Sequence, residues 1–358
     1  MADDRPELST PILIVGCRRP DTLARVFRRV REARPARLFI AFDVPATGPD
    51  DPEHRRAVEA ASVVDWSCAV EIDIAEHPLG PSGRIVSAID SAFESVDRLI
   101  VLEDDILVDP SFFPWAEAML DRYADDPLIG HIGGRNELVR WPGDEDHLLV
   151  RRGSMWGWAT WRDRWLRHRD GPRPAAPLGD TLLDEHTRLM DRAGDGPLAW
   201  DLDWSRYRVA SDLQSVIPRV NLVDNIGFGA DATHTFDPQD LRADFPIGDA
   251  ATGSGPLTAD PVASVPHYAN DVYDEWSLLV ELMTTFRHPD AVARLARLDA
   301  RRQVPLLDDA ARHHLAPFRR ADSSLRALAH LRRHGIDPGR LAPLEHALRR
   351  VVTAGTPS

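Results

Sequence analysis

Three adjacent carboxylates, Glu103, Asp104 and Asp105, sit between two apolar runs, Leu99 to Leu102 and Ile106 to Val108. Side by side they repel one another and lose hydration against apolar flanks, so something positive must compensate them. If the chain stays extended through them, Glu103 and Asp105 project to one side and Asp104 to the other. Two carboxylates on one side of a strand's C-terminal end, where open α/β sheets bind ligands, suit a hard divalent cation. Mg²⁺ or Mn²⁺ takes one or two carboxylates and fills its shell with water and substrate phosphates, so no closed protein cage is required. The plainer alternative is an acidic turn paired to nearby arginines; the buried-strand context favours the cation. A second acidic pair lies in Trp200-Asp201-Leu202-Asp203-Trp204, where either carboxylate could take a proton from a hydroxyl.

These groups need a frame, and the hydrophobic pattern supplies one. Pro11 to Cys17, Arg37 to Asp43, Ala69 to Ile74 and Arg98 to Leu102 read as strands. Helical periodicity fills the gaps at Asp21 to Arg31, about Pro52 to Ala61, and Arg84 to Val96. The packing faces are Leu23, Val26, Phe27 and Val30 in the first helix, and Ile85, Ile89, Phe93 and Val96 in the third. Such alternation predicts a mostly parallel sheet covered on both faces, with the fourth strand central. A further helix runs from Pro114 to about Tyr123, and Ile129 to Ile132 forms a short strand ending in Gly133-Gly134.

Beyond that point the alternation stops. Trp141 to Trp204 holds seven of the ten tryptophans, interrupted by a Pro-rich loop from Gly171 to Gly179. Trp156, Trp158, Trp161 and Trp165 could stack on sugar rings. The helical spacing of Trp158, Trp161 and Trp165 favours packing for most, leaving one or two for ligand contact. Residues Phe236 to Val265 read as a long loop, and Tyr273 onward as Arg-, Leu- and Ala-rich helix.

Composition narrows the chemistry. The net charge of -14 over 358 residues argues against nucleic acid or anionic lipid as partner. Every basic residue among the 43 is arginine, which removes mechanisms that need a Schiff-base or phosphate-loop lysine. Cys17 and Cys68 are too few for a disulfide framework. No signal pattern opens the chain and no apolar run reaches bilayer length, so a cytoplasmic location is expected.

The segments PILIVGCRRP, GRIVSAIDSAFE, RLIVLEDDILVDPSFF, WGWATWRDRW, WDLDW and NLVDNIGFGADATHT occur in this order. Together with the second strand ending at Asp43, they resemble the GT-A nucleotide-diphospho-sugar transferases. Within these the likeness is to the branch related to N-acetylglucosaminyltransferase I and its bacterial relatives, over about residues 11 to 236. The resemblance implies a GT-A, Rossmann-like α/β catalytic domain over residues 9–270. Its parts are a nucleotide-sugar half (9–136), an acceptor half (137–240) and a linker (241–270), followed by a helical C-terminal appendage (271–358).

The activity so implied is metal-dependent glycosyl transfer of the hexosyltransferase type. The donor is a nucleotide diphosphate-sugar, first of all a UDP-sugar, and the acceptor hydroxyl belongs to a glycan, a glycolipid or a small molecule. Asp105 corresponds to the direct ligand of Mn²⁺ or Mg²⁺, and Glu103 and Asp104 face sugar and ribose. Arg19, Asp43 and Arg84 fall on the donor side, with Trp158 the stacking candidate. Asp43 could instead shape a turn, and Arg18 or Arg19 could be a solvated charge. Asp201 matches the catalytic base of an inverting transfer, with Asp203 in reserve, because the two acids are adjacent in the family pattern and separated here. His234, in the Thr-rich loop after NIGFG, could approach the diphosphate or the metal. Retention, nucleotidyl transfer and a non-catalytic nucleotide-sugar-binding protein stay open on the same scaffold.

Overall fold

The computed structural model describes residues 7–137, 139–140, 146–172 and 199–229, together with 247–248, 273–274 and 277. The first half alternates as expected: β1 (Ile12–Gly16), α1 (Pro20–Ala33), β2 (Arg37–Phe42), α2 (Pro52–Ala61), β3 (Ala69–Ile74), α3 (Gly80–Ala92) and β4 (Arg98–Glu103). Then come β5 (Ile106–Val108), α4 (Phe112–Arg122), β6 (Ile129–Gly133), β7 (His147–Val150), β8 (Trp158–Trp161), α5 (Arg162–Asp170), α6 (Trp200–Ala210), β9 (Gln214–Pro218) and β10 (Val223–Asn225).

Local chemistry explains several ends. Pro20 opens α1 with its fixed φ, and Arg34 closes it in the left-handed region, its N–H donating to Val30 O. Asp51 caps α2, accepting from Glu53 N at 3.0 Å and His54 N at 3.2 Å.

Eight strands form one sheet in the order β3-β2-β1-β4-β8-β6-β9-β7. β8 and β7 run antiparallel to their neighbours and the other pairings are parallel, so the sheet is mostly parallel and helix-flanked, with β4 inside it. Strand alternation divides the core. Ile12, Ile14, Leu38, Ile40, Phe42, Ile100 and Leu102 pack with α1, α2 and α4 on one face. Leu13, Val15, Phe39, Ala41, Leu99 and Val101 pack with α3 and α6 on the other. No helix among the described residues is long and apolar enough to cross a membrane.

Two expectations change. Trp158 and Trp161 do not belong to a helix with Trp165: they bracket strand β8, whose pleat sends them to opposite cores, and the helix begins only at Arg162. A spacing of three is ambiguous over so short a run, and pairing of β8 with β4 and β6 decides it. Trp158 is also only 1% exposed, stacked on His131 and Trp200 at centroid distances of 5.6 and 5.7 Å, with Trp165 and Trp204 tilted against it. It is a core residue and offers no face to a sugar. Residues 241–246, 249–272 and 278–358 lie outside the described residues, and with them most of the expected linker and appendage.

Trp158→Ala should cost about 3–5 kcal/mol of unfolding free energy, measured by urea denaturation, and Trp158→Phe clearly less. Equal, small losses in both would show that the cluster does not hold β8 to α6.

Candidate functional site

β1 is flanked by β2 on one side and β4 on the other, so the crossovers diverge between β1 and β4. At such a switch point an open α/β sheet leaves a crevice outside its C-terminal strand ends. Gly16 is in register with Phe42, and Val15 with Glu103. The turns bearing Cys17 to Arg19, Asp43, and Glu103 to Asp105 therefore leave the sheet side by side.

Glu103 is the last residue of β4, and Asp104 and Asp105 lie in a turn. The simple same-side projection of Glu103 and Asp105 is thus replaced by a bend. The chain leaves the main sheet here to pair, as β5, antiparallel with β10, and Ile226 N donates to Asp105 O at 2.9 Å. Asp104 turns back over β1, where its Oδ2 accepts from Cys17 N at 3.2 Å; a Cβ on Gly16 would lie 3.2 Å from its carboxylate. Asp105 pairs with the Arg19 guanidinium, with side chains 13% and 21% exposed. A Cβ on Gly227 would run into both the Asp105 carboxylate and Arg19. The NIGFG segment so lies directly against the acidic turn, and its glycine is there for close approach.

Removal from water and mutual repulsion mark the cluster electrically. Burial, then Asp105, Asp201 and Asp104, push the Glu103 carboxyl well above the carboxylate range. Burial and Asp105 push Asp104 up to about 7 against the opposing pull of Arg19. Burial also raises Asp105, opposed by Arg19. The Cys17 thiol rises to about 11 through burial and the charges of Asp43 and Asp104, which leaves it an unreactive neighbour.

The remaining candidates separate into those at the cluster and those holding its frame. Asp201 and Asp203 both stand in the first turn of α6. Two residues apart on a helix they face different ways. Asp201 lies near enough to Glu103 to raise its carboxyl, while Asp203 meets the buried His168 of α5, Nε2 to Oδ2 2.9 Å. Asp43 is buried, and its Oδ1 accepts from Val44 N and Leu79 N, both at 2.9 Å, which is the turn-shaping alternative. Arg84 is 3% exposed. Its Nη2 donates to Asp73 O at 2.7 Å and pairs with the Asp73 carboxylate at 2.6 Å, so it fastens α3 to the end of β3. His234 lies outside the described residues.

Sequence reasoning named Trp156 as a stacking candidate but missed its partner Phe228 and their place beside the acidic turn. Trp156 is half-buried, with the Arg135 guanidinium 4.5 Å from its ring centroid and Phe228 edge-on at 5.9 Å. Phe228 follows Gly227, so this pair borders Asp105. The signal was present in the glycines beside both rings, Gly157 with φ +61° and Gly227. Among the described residues, no group of three or more His, Cys, Asp or Glu side chains is placed so that it could hold a metal ion.

No protein-family model matches the chain, and no curated protein matches it. Among solved structures it is similar to UTP-bound UGPase from Acinetobacter baumannii, at 10% identity and TM-score 0.32 over 61% of this chain and 89% of that one. It is also similar to S. aureus TarS residues 1–349, at 10% identity and TM-score 0.39 over 88% of this chain and 91% of that one. At these scores neither likeness bears on the chemistry of the site.

Because the folded-state pKa of Asp104 lies above its ordinary 3.8, ionising it costs stability as pH rises through about 7 and costs nothing well below pH 4. In EDTA, Asp104→Asn should exceed the wild type by on the order of 2 kcal/mol at pH 8, after allowing for solvent screening, and by nothing near pH 4. Urea unfolding across that range checks this, and a pH-independent gain would assign the effect to packing. Gly227→Ala should lower stability by about 1–3 kcal/mol through overpacking against Asp105 and Arg19, read as a fall in Tm. An unchanged Tm would refute the contact.

Proposed function

We propose that the protein transfers a sugar from a nucleotide diphosphate-sugar to an acceptor hydroxyl, with a divalent cation bound at the acidic turn and Asp201 as general base. The observation that carries this is the convergence of two separate acidic segments. One is the turn at the switch point between β1 and β4; the other is the first turn of α6, whose Asp201 acts electrostatically on Glu103.

The chemistry of the donors suits Mg²⁺ or Mn²⁺, which take one or two hard carboxylate oxygens and complete their shell with water and phosphate: Glu103, Asp104 and Asp105 are adjacent carboxylates, all raised first by burial. Asp105 would hold the cation, with Glu103 and Asp104 toward the sugar and ribose. When bound, such an ion supplies charge stabilisation for a departing diphosphate. Arg19, already beside Asp105, contributes a fixed positive charge where phosphate oxygens would lie. Glycine at 227 lets the loop close against the acids, which limits water around the reacting atoms.

Asp201 is preferred to Asp203 because of what each faces. Asp203 meets His168, and the charge of Asp201 acts on Glu103. A base on the far side of the sugar from a diphosphate held at Asp105 would deprotonate the acceptor for in-line attack and invert the anomeric centre. A UDP-sugar is the first donor to try, and the catalytic unit is taken as residues 9–270 with the segment beyond as an appendage.

Screening UDP-, GDP- and dTDP-sugars by thermal shift, with and without Mn²⁺, should give a metal-dependent rise in Tm for one nucleotide class. No rise with any pair would leave a scaffold without a donor site. With the donor known, Asp201→Asn should lower kcat by about 10²–10⁴ with donor KM nearly unchanged, whereas Asp203→Asn keeps most of kcat and Asp105→Ala abolishes transfer. Reversed sensitivities of Asp201 and Asp203 would transfer the base role to Asp203.

A further inference from the structure

Composition divides the chain near residue 270, yet Tyr273 and Asp274 are built into the body that carries the acids. Tyr273 has no exposed surface, and its hydroxyl accepts from Glu137 N at 3.2 Å. The Asp274 carboxylate spans two successive amides just beyond β7, Oδ2 accepting from Arg151 N at 3.0 Å and Oδ1 from Arg152 N at 2.9 Å. A fully buried tyrosine and a carboxylate clamped by two backbone donors mark a docked segment.

Each of the two residues leads toward one wall of the candidate site. From Tyr273 the path runs through Glu137, whose Oε1 accepts from Arg135 Nε at 2.9 Å. The Arg135 guanidinium lies over Trp156, Trp156 meets Phe228, and Phe228 follows the glycine packed on Asp105. From Asp274 the path runs through Arg152, whose N–H donates to it, to the next residue, Gly153, and from there to Arg208, a buried arginine of α6, the helix that opens with Asp201. Arg208 donates to Gly153 O at 3.0 Å and to Ser215 Oγ. Burial and Arg152 draw its pKa down to about 9, while the charge of Asp274 acts in the opposite sense and favours the guanidinium. One dipeptide therefore braces the aromatic wall beside Asp105 and the helix of Asp201 together.

We propose that Tyr273 and Asp274 are positioning residues of the catalytic unit, docked so that they set the separation between the Asp105 turn and the Asp201 helix. This rests on the function proposed above. It also moves the end of the catalytic unit past residue 274.

The test uses the full-length chain with Asp274→Ala and Tyr273→Phe. Amide hydrogen exchange should accelerate about tenfold or more at Arg151 and Arg152 in the first variant and at Glu137 in the second. In transfer assays kcat should fall about tenfold while donor KM stays within about twofold, and Asp274→Asn, which keeps one accepting oxygen, should recover part of both effects. Unchanged exchange in both variants would overturn the docking. Faster exchange with kcat unchanged would overturn the positioning role. If the wild type transfers no sugar, the proposed reaction fails, and amide exchange alone then decides the docking.

Discussion

Crowding three carboxylates onto the end of a buried central strand is the constraint on which the other features depend. Burial raises all three carboxyls, and repulsion from neighbouring acids adds to the rise of Glu103 and Asp104. Folding must hold them there against that tendency. The pairing of Arg19 with Asp105, the Cys17 amide on Asp104, and β5–β10 pairing immediately after the turn each oppose their spreading apart. The two glycines at the closest approaches, Gly16 and Gly227, follow from the same constraint, since any side chain there would push a carboxylate away. Sites that concentrate like charge are less stable than they could be, a known cost of function.

Stability must then come from elsewhere, and the sheet provides it in two separate cores. The face bearing α1, α2 and α4 is ordinary aliphatic and aromatic packing. The other is dominated by Trp158, Trp165, Trp200, Trp204 and Tyr207, which lock β8, α5 and α6 together. Rings of this size bury much area and pack in a limited set of geometries. The helix that carries Asp201 is therefore fixed by the tryptophans that enrich its neighbourhood. For Trp158, Trp165, Trp200 and Trp204 the tryptophan density of this region has a structural explanation in positioning.

Much of this frame was legible in the sequence because local period and tertiary role agree there. The strands ending at Phe42 and Glu103 and the helices with faces at Leu23 to Val30 and Ile85 to Phe93 all alternate cleanly. The acidic triplet stood out because carboxylates are rare after a buried strand. The failures have equally local causes. Trp158 to Trp161 is four residues long, too short for its period to separate strand from helix, and only long-range pairing resolves it. The hydrogen bonds of Asp43 and Arg84 to Val44, Leu79 and Asp73 were not legible either, because they depend on where the chain turns. The contact of Gly227 with Asp105 joins positions 122 residues apart by number (227 minus 105), and no spacing rule reaches that far.

The pair Asp201 and Asp203 shows how secondary structure can resolve what residue type leaves open. Both are aspartates, both lie in one helical turn, and composition offers no preference between them. Their separation of two residues on a helix sends them to different neighbours. One neighbour is a histidine buried among Trp165, Trp204 and Tyr207, which engages Asp203 at 2.9 Å. The other is Glu103 at the end of β4, whose carboxyl is pushed up by burial and by the charges of Asp105 and Asp201. Helical periodicity thus separates two aspartates that residue type leaves equivalent, sending one against an imidazole and the other toward the acidic cluster.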